Sequence, residues 1–75
     1  MEVNVLLREW QECGGYEVKV LGVFYYITAA SKVMNEEIEQ SQGDGWLILR
    51  KTAIDAELYN GQTLIKYSIV KQKIE

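Results

Sequence analysis

Asp55-Ala56-Glu57-Leu58-Tyr59-Asn60-Gly61-Gln62-Thr63-Leu64-Ile65-Lys66-Tyr67 reads as two strands around a turn. Asn-Gly is the preferred central pair of a two-residue type I′ hairpin, whose twist matches that of the flanking strands. Pairing outward from Asn60-Gly61 sets Leu58 opposite Thr63, Ala56 opposite Ile65, Ile54 opposite Tyr67 and Thr52 opposite Ile69. These residues share one face, which is almost wholly apolar. The other face sets Glu57 opposite Leu64, Asp55 opposite Lys66 and Ala53 opposite Ser68. Asp55 and Lys66 then form a cross-strand ion pair. A slip of one residue would turn the apolar set toward water, so turn and pattern agree on which face is inside.

Before this hairpin, Trp46, Leu47, Ile48 and Leu49 are apolar on both faces, which suits a central or covered strand. Gly43-Asp44-Gly45 precedes them and ends a helix read over 30–42. Ala30, Val33, Met34 and Ile38 form its narrow apolar stripe, with Glu36, Glu37 and Glu39 facing water. Thr28 or Ser31 is the expected cap. Residues 16–28 are β-branched and aromatic, as in a strand. Tyr16, Val18 and Val20 alternate with Glu17, Lys19 and Leu21, and are expected to be buried. Gly22 marks either a bulge or a tight turn.

Residues 3–13 admit two readings. Val3, Leu6, Leu7, Trp10 and Cys13 have helical spacing, and Gly14-Gly15 offers a left-handed cap. Val3, Val5 and Leu7 also alternate as in a strand. Trp10 and Cys13 fit only the helix, which is the preferred reading. Cys13 then lies on its apolar stripe as a small buried hydrophobe. The predicted fold is α+β: a small antiparallel sheet of three to four strands with one helix on a face, plus an extra N-terminal helix. The order is α-β(β)-α-β-β, in one domain spanning 1–75.

From Tyr16 onward the chain resembles a family of very short bacterial and phage domains of unknown function. The resemblance rests on a Tyr-, Val- and Lys-rich strand, an acidic helix, and Gly43-Asp44-Gly45-Trp46 before the closing strands. It implies a strand–helix–strand–strand core with a Gly-Trp pair at the helix exit, and no catalytic residues. The N-terminal helix is extra to that core, and Gln42 stands where the family usually has an apolar residue. Residues 1–22 resemble, more weakly, the opening of some small phage anti-CRISPR inhibitors, which act as acidic DNA mimics. That match rests on Met1, Val3, Asn4, Leu6, Leu7, Arg8 and Glu9, followed by Tyr16, Val18, Lys19, Val20 and Gly22.

Composition narrows the function. Seventy-five residues bury only about 60% of the surface exposed on unfolding, so a supplement to the core is expected. Cys13 is the sole cysteine and histidine is absent, which excludes an internal disulfide and a zinc site. A partner chain is the remaining supplement, whether a second copy in a homodimer or another protein. No run approaches the length of a membrane span. Glu2 and Asn4 give an acidic, polar start without a basic n-region, and the expected location is cytoplasmic.

No constellation for catalysis, cofactor or metal binding is read from the sequence. A cysteine nucleophile needs a base, and Cys13 has no histidine to serve it. Gly43-Asp44-Gly45 precedes a strand rather than a helix, so it does not cradle phosphate. The net charge of −3 is uneven. Residues 1–45 set Arg8, Lys19 and Lys32 against Glu2, Glu9, Glu12, Glu17, Glu36, Glu37, Glu39 and Asp44. Residues 46–75 set Arg50, Lys51, Lys66, Lys71 and Lys73 against Asp55, Glu57 and Glu75. The expected function is therefore a small non-enzymatic protein-interaction module, such as a phage-encoded inhibitor or regulator of a host protein. Its candidate partner-binding residues are the acidic Glu36, Glu37 and Glu39 together with Trp46, Leu47 and Leu49. An alternative is a sheet for single-stranded nucleic acid, with Phe24, Tyr25 and Tyr26 beside Arg50, Lys51, Lys66 and Lys71. A pI near 4.9 argues against it, because phosphate neutralisation dominates such affinity.

Overall fold

A computed structural model describes residues 1–74. Five strands and one helix follow the order β1 (Glu2–Glu12), β2 (Gly15–Phe24), α1 (Ile27–Gly43), β3 (Leu47–Lys51), β4 (Asp55–Tyr59) and β5 (Leu64–Lys73). The strands form one antiparallel sheet in the order β2-β1-β5-β4-β3. The chain makes the β1–β2 hairpin, crosses the sheet as α1, and returns as a three-strand meander. The last strand closes against the first, and the Ile74 N–H donates to the Met1 carbonyl at 2.7 Å.

The expected N-terminal helix is strand β1, so the fold has one helix and five strands. β1 lies between β2 and β5 and pairs with both along most of its length. A central strand can be apolar on both faces. Val3 and Leu7 on one face, with Leu6 and Trp10 on the other, therefore reproduce helical spacing by coincidence. What selects the strand is β5, a partner some sixty residues away in sequence, which no local periodicity reveals. Gly14-Gly15 is consequently a hairpin turn rather than a helix cap. Glu12 pairs with Gly15 across Cys13-Gly14, and Gly14 takes φ +86°, as the second central residue of a type II turn must. Cys13 is exposed at this turn, not buried on an apolar stripe.

Gly22 belongs to a bulge and not to a second hairpin. Leu6 pairs with Gly22 and Leu7 with Val20, leaving Leu21 as the extra residue. Asn4 is buried, and its Nδ2 donates to the carbonyls of Phe24 and Tyr25 at 3.4 and 3.3 Å. That contact fixes the exit of β2, and α1 starts from it, three residues earlier than the sequence predicted. Tyr26 is the N-cap and supplies no side-chain cap. Ser31 instead donates its hydroxyl to the Ala53 carbonyl at 3.3 Å, and neither it nor Thr28 caps the helix.

The apolar stripe of α1 is as expected: Ala30, Met34 and Ile38 are buried, and Val33 packs beside them. They meet Leu6, Ala56, Leu58, Ile65, Tyr67 and Ile69 from the sheet. At the far end, the Trp46 N–H donates to Ser41 O and the Gly45 N–H to Gln42 O, both at 3.1 Å, with Gly45 at φ +93°. This is the Schellman arrangement, which satisfies the orphan carbonyls of the last turn.

Three strands follow α1, where the expected order α-β(β)-α-β-β has two. The break falls at Thr52, whose Oγ1 accepts from the N–H groups of Ile54 and Asp55 at 3.2 and 3.0 Å. The hydroxyl stabilises a turn without glycine or proline. β3 thereby becomes an edge strand, exposed throughout, rather than a central one.

The Asn60-Gly61 connection is a four-residue loop, with Tyr59 opposite Leu64 and Leu58 opposite Ile65. Asn60 keeps a negative φ, whereas type I′ needs positive φ at both central residues. Its Oδ1 accepts instead from the Gln62 and Thr63 N–H groups at 3.0 and 2.7 Å. The register differs from the expected one by two residues, so every side chain keeps its face. Ala56 and Leu58 are buried as expected, while Ile54 and Thr52 fall in the preceding turn and are exposed.

Candidate functional site

The helix covers one face of the sheet, and strand alternation then decides what the other face presents. Leu6, Trp10, Ile65, Tyr67, Ala56 and Leu58 belong to the helix side. Their neighbours along each strand belong to the opposite side. Cross-strand register arranges these neighbours in four rows.

Val23, Val5 and Val70 form the first row. Val20, Leu7, Ser68 and Asp55 form the second. The third is a ladder of alternating charge, in which Val18 is followed by Glu9, Lys66, Glu57 and Arg50. Tyr16, Gln11, Leu64, Tyr59 and Leu47 form the fourth.

The first two rows place five aliphatic side chains together: Val5, Leu7, Val20, Val23 and Val70. Val20 and Val23 are 56% and 58% exposed, and Val70 is 44% exposed. No second helix lies over them, because the segment expected to supply one is β1 itself. Tyr16, Val18 and Val20 are therefore exposed, contrary to the sequence-based expectation. The alternation itself was readable; which face had a cover was not.

The charge ladder bounds this patch. Arg50 Nη2 donates to Asp55 Oδ2 at 3.2 Å and to Glu57 Oε1 at 3.3 Å. Asp55 thus pairs with Arg50 and not with Lys66, which sits opposite Glu57 in the true register.

The residues singled out from sequence fall in separate places. Leu47 lies at the far edge of the open face, and Leu49 is the bulge residue between Ile48 and Arg50. Trp46 is half-buried, with its ring edge to face with Trp10 at 5.6 Å. It is a support for the helix exit rather than a platform for a ligand. Glu36 and Glu39 project into solvent from α1, while Glu37 is half-buried. The structure does not bring these six together.

The aromatic and basic groups of the nucleic-acid alternative are also apart. Tyr25 and Tyr26 are exposed just after β2, Phe24 packs against the core, and Arg50 lies on the opposite edge strand, held by two carboxylates.

Nothing gathers groups for chemistry in what the structure describes. A cleft of about 370 Å³ at the end of the first hairpin is lined by Arg8, Trp10, Glu12, Tyr16 and Glu17, which places one cation among carboxylates with no nucleophile. The Tyr67 hydroxyl is pushed above its ordinary value of 10.0 by burial, with the Ser41 side chain opposing the shift, so it stays protonated at neutral pH. Among the described residues no group of three or more His, Cys, Asp or Glu side chains is placed to hold a metal ion. Among the described residues no helix is long and apolar enough to cross a membrane. In comparisons with family models, curated proteins and solved structures, the chain matches none.

Proposed function

We propose that this chain is a non-enzymatic protein-interaction module that binds its partner through the uncovered sheet face. One observation carries the reading: Val5, Leu7, Val20, Val23 and Val70 lie side by side on the sheet face opposite α1, with Val20, Val23 and Val70 exposed. Contiguous exposed apolar surface on a small domain marks an interaction site. The charge ladder beside it supplies a polar rim, as interfaces commonly have. An inhibitor or regulator of a host protein, toward which the weaker resemblance of residues 1–22 points, would act by laying this face on its target.

The test replaces the outer valines by V23K/V70K. Both residues are exposed, so the fold should persist by circular dichroism. Quantitative capture with wild-type bait should retrieve a partner that the V23K/V70K bait loses. A helix variant, E36K/E39K, should still retrieve it. Loss with the helix variant and retention with V23K/V70K would move the site to α1 and overturn the proposal.

A further inference from the structure

We infer that two copies of this chain join through β2, edge to edge and antiparallel, in a register centred on Val18. The rim of the sheet, not its open face, makes this contact.

β2 is an outer strand of ten residues. Every residue from Gln11 to Val20 is exposed, so among the described residues none shields the outer side of its first half. Backbone directions follow from the hairpin. Glu12 and Gly15 flank a two-residue turn and close the ladder as a hydrogen-bonded pair. Bonded and open pairs then alternate. Trp10–Glu17 and Arg8–Lys19 are bonded, while Gln11–Tyr16, Glu9–Val18 and Leu7–Val20 are open. The N–H and C=O groups of Tyr16, Val18 and Val20 therefore point away from β1. An edge of this kind is a template for another strand.

The side chains select both the partner and the register. Tyr16-Glu17-Val18-Lys19-Val20 is complementary to itself when reversed. With Val18 opposite Val18 of a second copy, Glu17 faces Lys19 and Lys19 faces Glu17, giving two opposite-charge pairs on the helix side. On the open side Tyr16 faces Val20 twice, a favourable aromatic and β-branched pairing. Centring on Glu17 or Lys19 sets like charges directly opposite, and those registers are disfavoured. The Val18 centre also makes the exposed backbone groups of all three outward residues pair with their counterparts. The product is a ten-stranded sheet with a twofold axis at Val18.

Sedimentation of the full chain over a concentration series tests this. The mass should rise from 8.6 kDa toward twice that value. V18P removes an outward N–H that the monomer does not use, and it should stay monomeric with its circular dichroism intact. E17K and K19E should each weaken self-association by about tenfold or more, since both ion pairs become like-charge pairs. Mixed together, those two variants should pair with each other, because each then supplies the charge that the other lacks.

V23K/V70K should dimerise like the wild type, which separates this outcome from any failure of the face to bind a partner. A wild type that stays monomeric into the high micromolar range overturns the inference. So does a dimer that survives V18P and is abolished by V23K/V70K, which would mean stacking of open faces.

Discussion

The two outer strands of the sheet, β2 and β3, differ in length, chemistry and what they leave exposed. β3 has five residues, carries Arg50 and Lys51, and is interrupted by a bulge at Leu49. Charge, brevity and a bulge are the devices by which sheet edges resist unwanted pairing. β2 has ten residues, no proline, and a bulge only at Leu21, near its exit. The half of β2 nearest the turn is regularly paired and exposed. One rim is closed to further strands and the other is left able to accept one. The same chain solves the edge problem on one side, so its absence on the other reads as a surface kept for use.

The sharpest way to break this comparison is proline placed at alternate positions of β2. The Lys19 N–H points toward Arg8 across the bonded pair. K19P removes that ladder bond and leaves the carbonyl of β1 without its donor. It should destabilise the chain by roughly 2–3 kcal/mol. V18P removes an N–H that points outward, where an edge strand tolerates proline, and should cost about 1 kcal/mol or less in dilute solution. Urea unfolding of the two variants at low protein concentration provides the check. Equal losses would show that the backbone of β2 does not alternate as assigned.

A smaller effect is expected at the bulge that ends the regular part of β2. A Cβ built at Gly22 falls 2.7 Å from two atoms of the Phe24 ring, and Phe24 packs against the core. G22A must push that ring aside, with an expected loss of about 1–2 kcal/mol from overpacking. G43A is the control, since a Cβ there meets nothing within 4 Å. If G22A unfolds at the wild-type temperature, Phe24 is not held where the core needs it. The bulge would then be incidental to β2.

Much of the meander and the helix was legible in the sequence because their signals are local. The stripe of Ala30, Val33, Met34 and Ile38 and the exit at Gly45-Trp46 lie within a few turns of chain. The faces of β4 and β5 were legible too, because a register error of two residues preserves parity. β1 was not, since a strand apolar on both sides imitates a helix and its partner β5 is remote in sequence. The candidate face was left undecided with it. Tyr16, Val18 and Val20 declare an apolar side, but whether that side is covered depends on how many helices exist. An N-terminal helix could have covered it, and β1 as a strand does not. The turn at Thr52 escaped because a hydroxyl does there what glycine or proline more often does.

The closed rim offers the mildest test. Arg50 bonds Asp55 and Glu57, but its side chain is 50% exposed. Exposed pairs of this kind contribute about 0–1 kcal/mol, because solvent screens them and ordering the side chain costs entropy. R50Q should therefore lower stability by no more than about 0.5 kcal/mol, and the loss should shrink in high salt. A loss well above 1 kcal/mol would mean that Glu9, Lys66, Glu57 and Arg50 act together as one network across four strands. That result would alter the comparison of the rims. β3 would then be fastened to the body of the sheet by the ladder, rather than merely shielded by the charges it carries. In the weaker case, Arg50 serves chiefly to keep β3 from pairing, whereas the charges of β2, Glu17 and Lys19, are complementary to their own reversed copy.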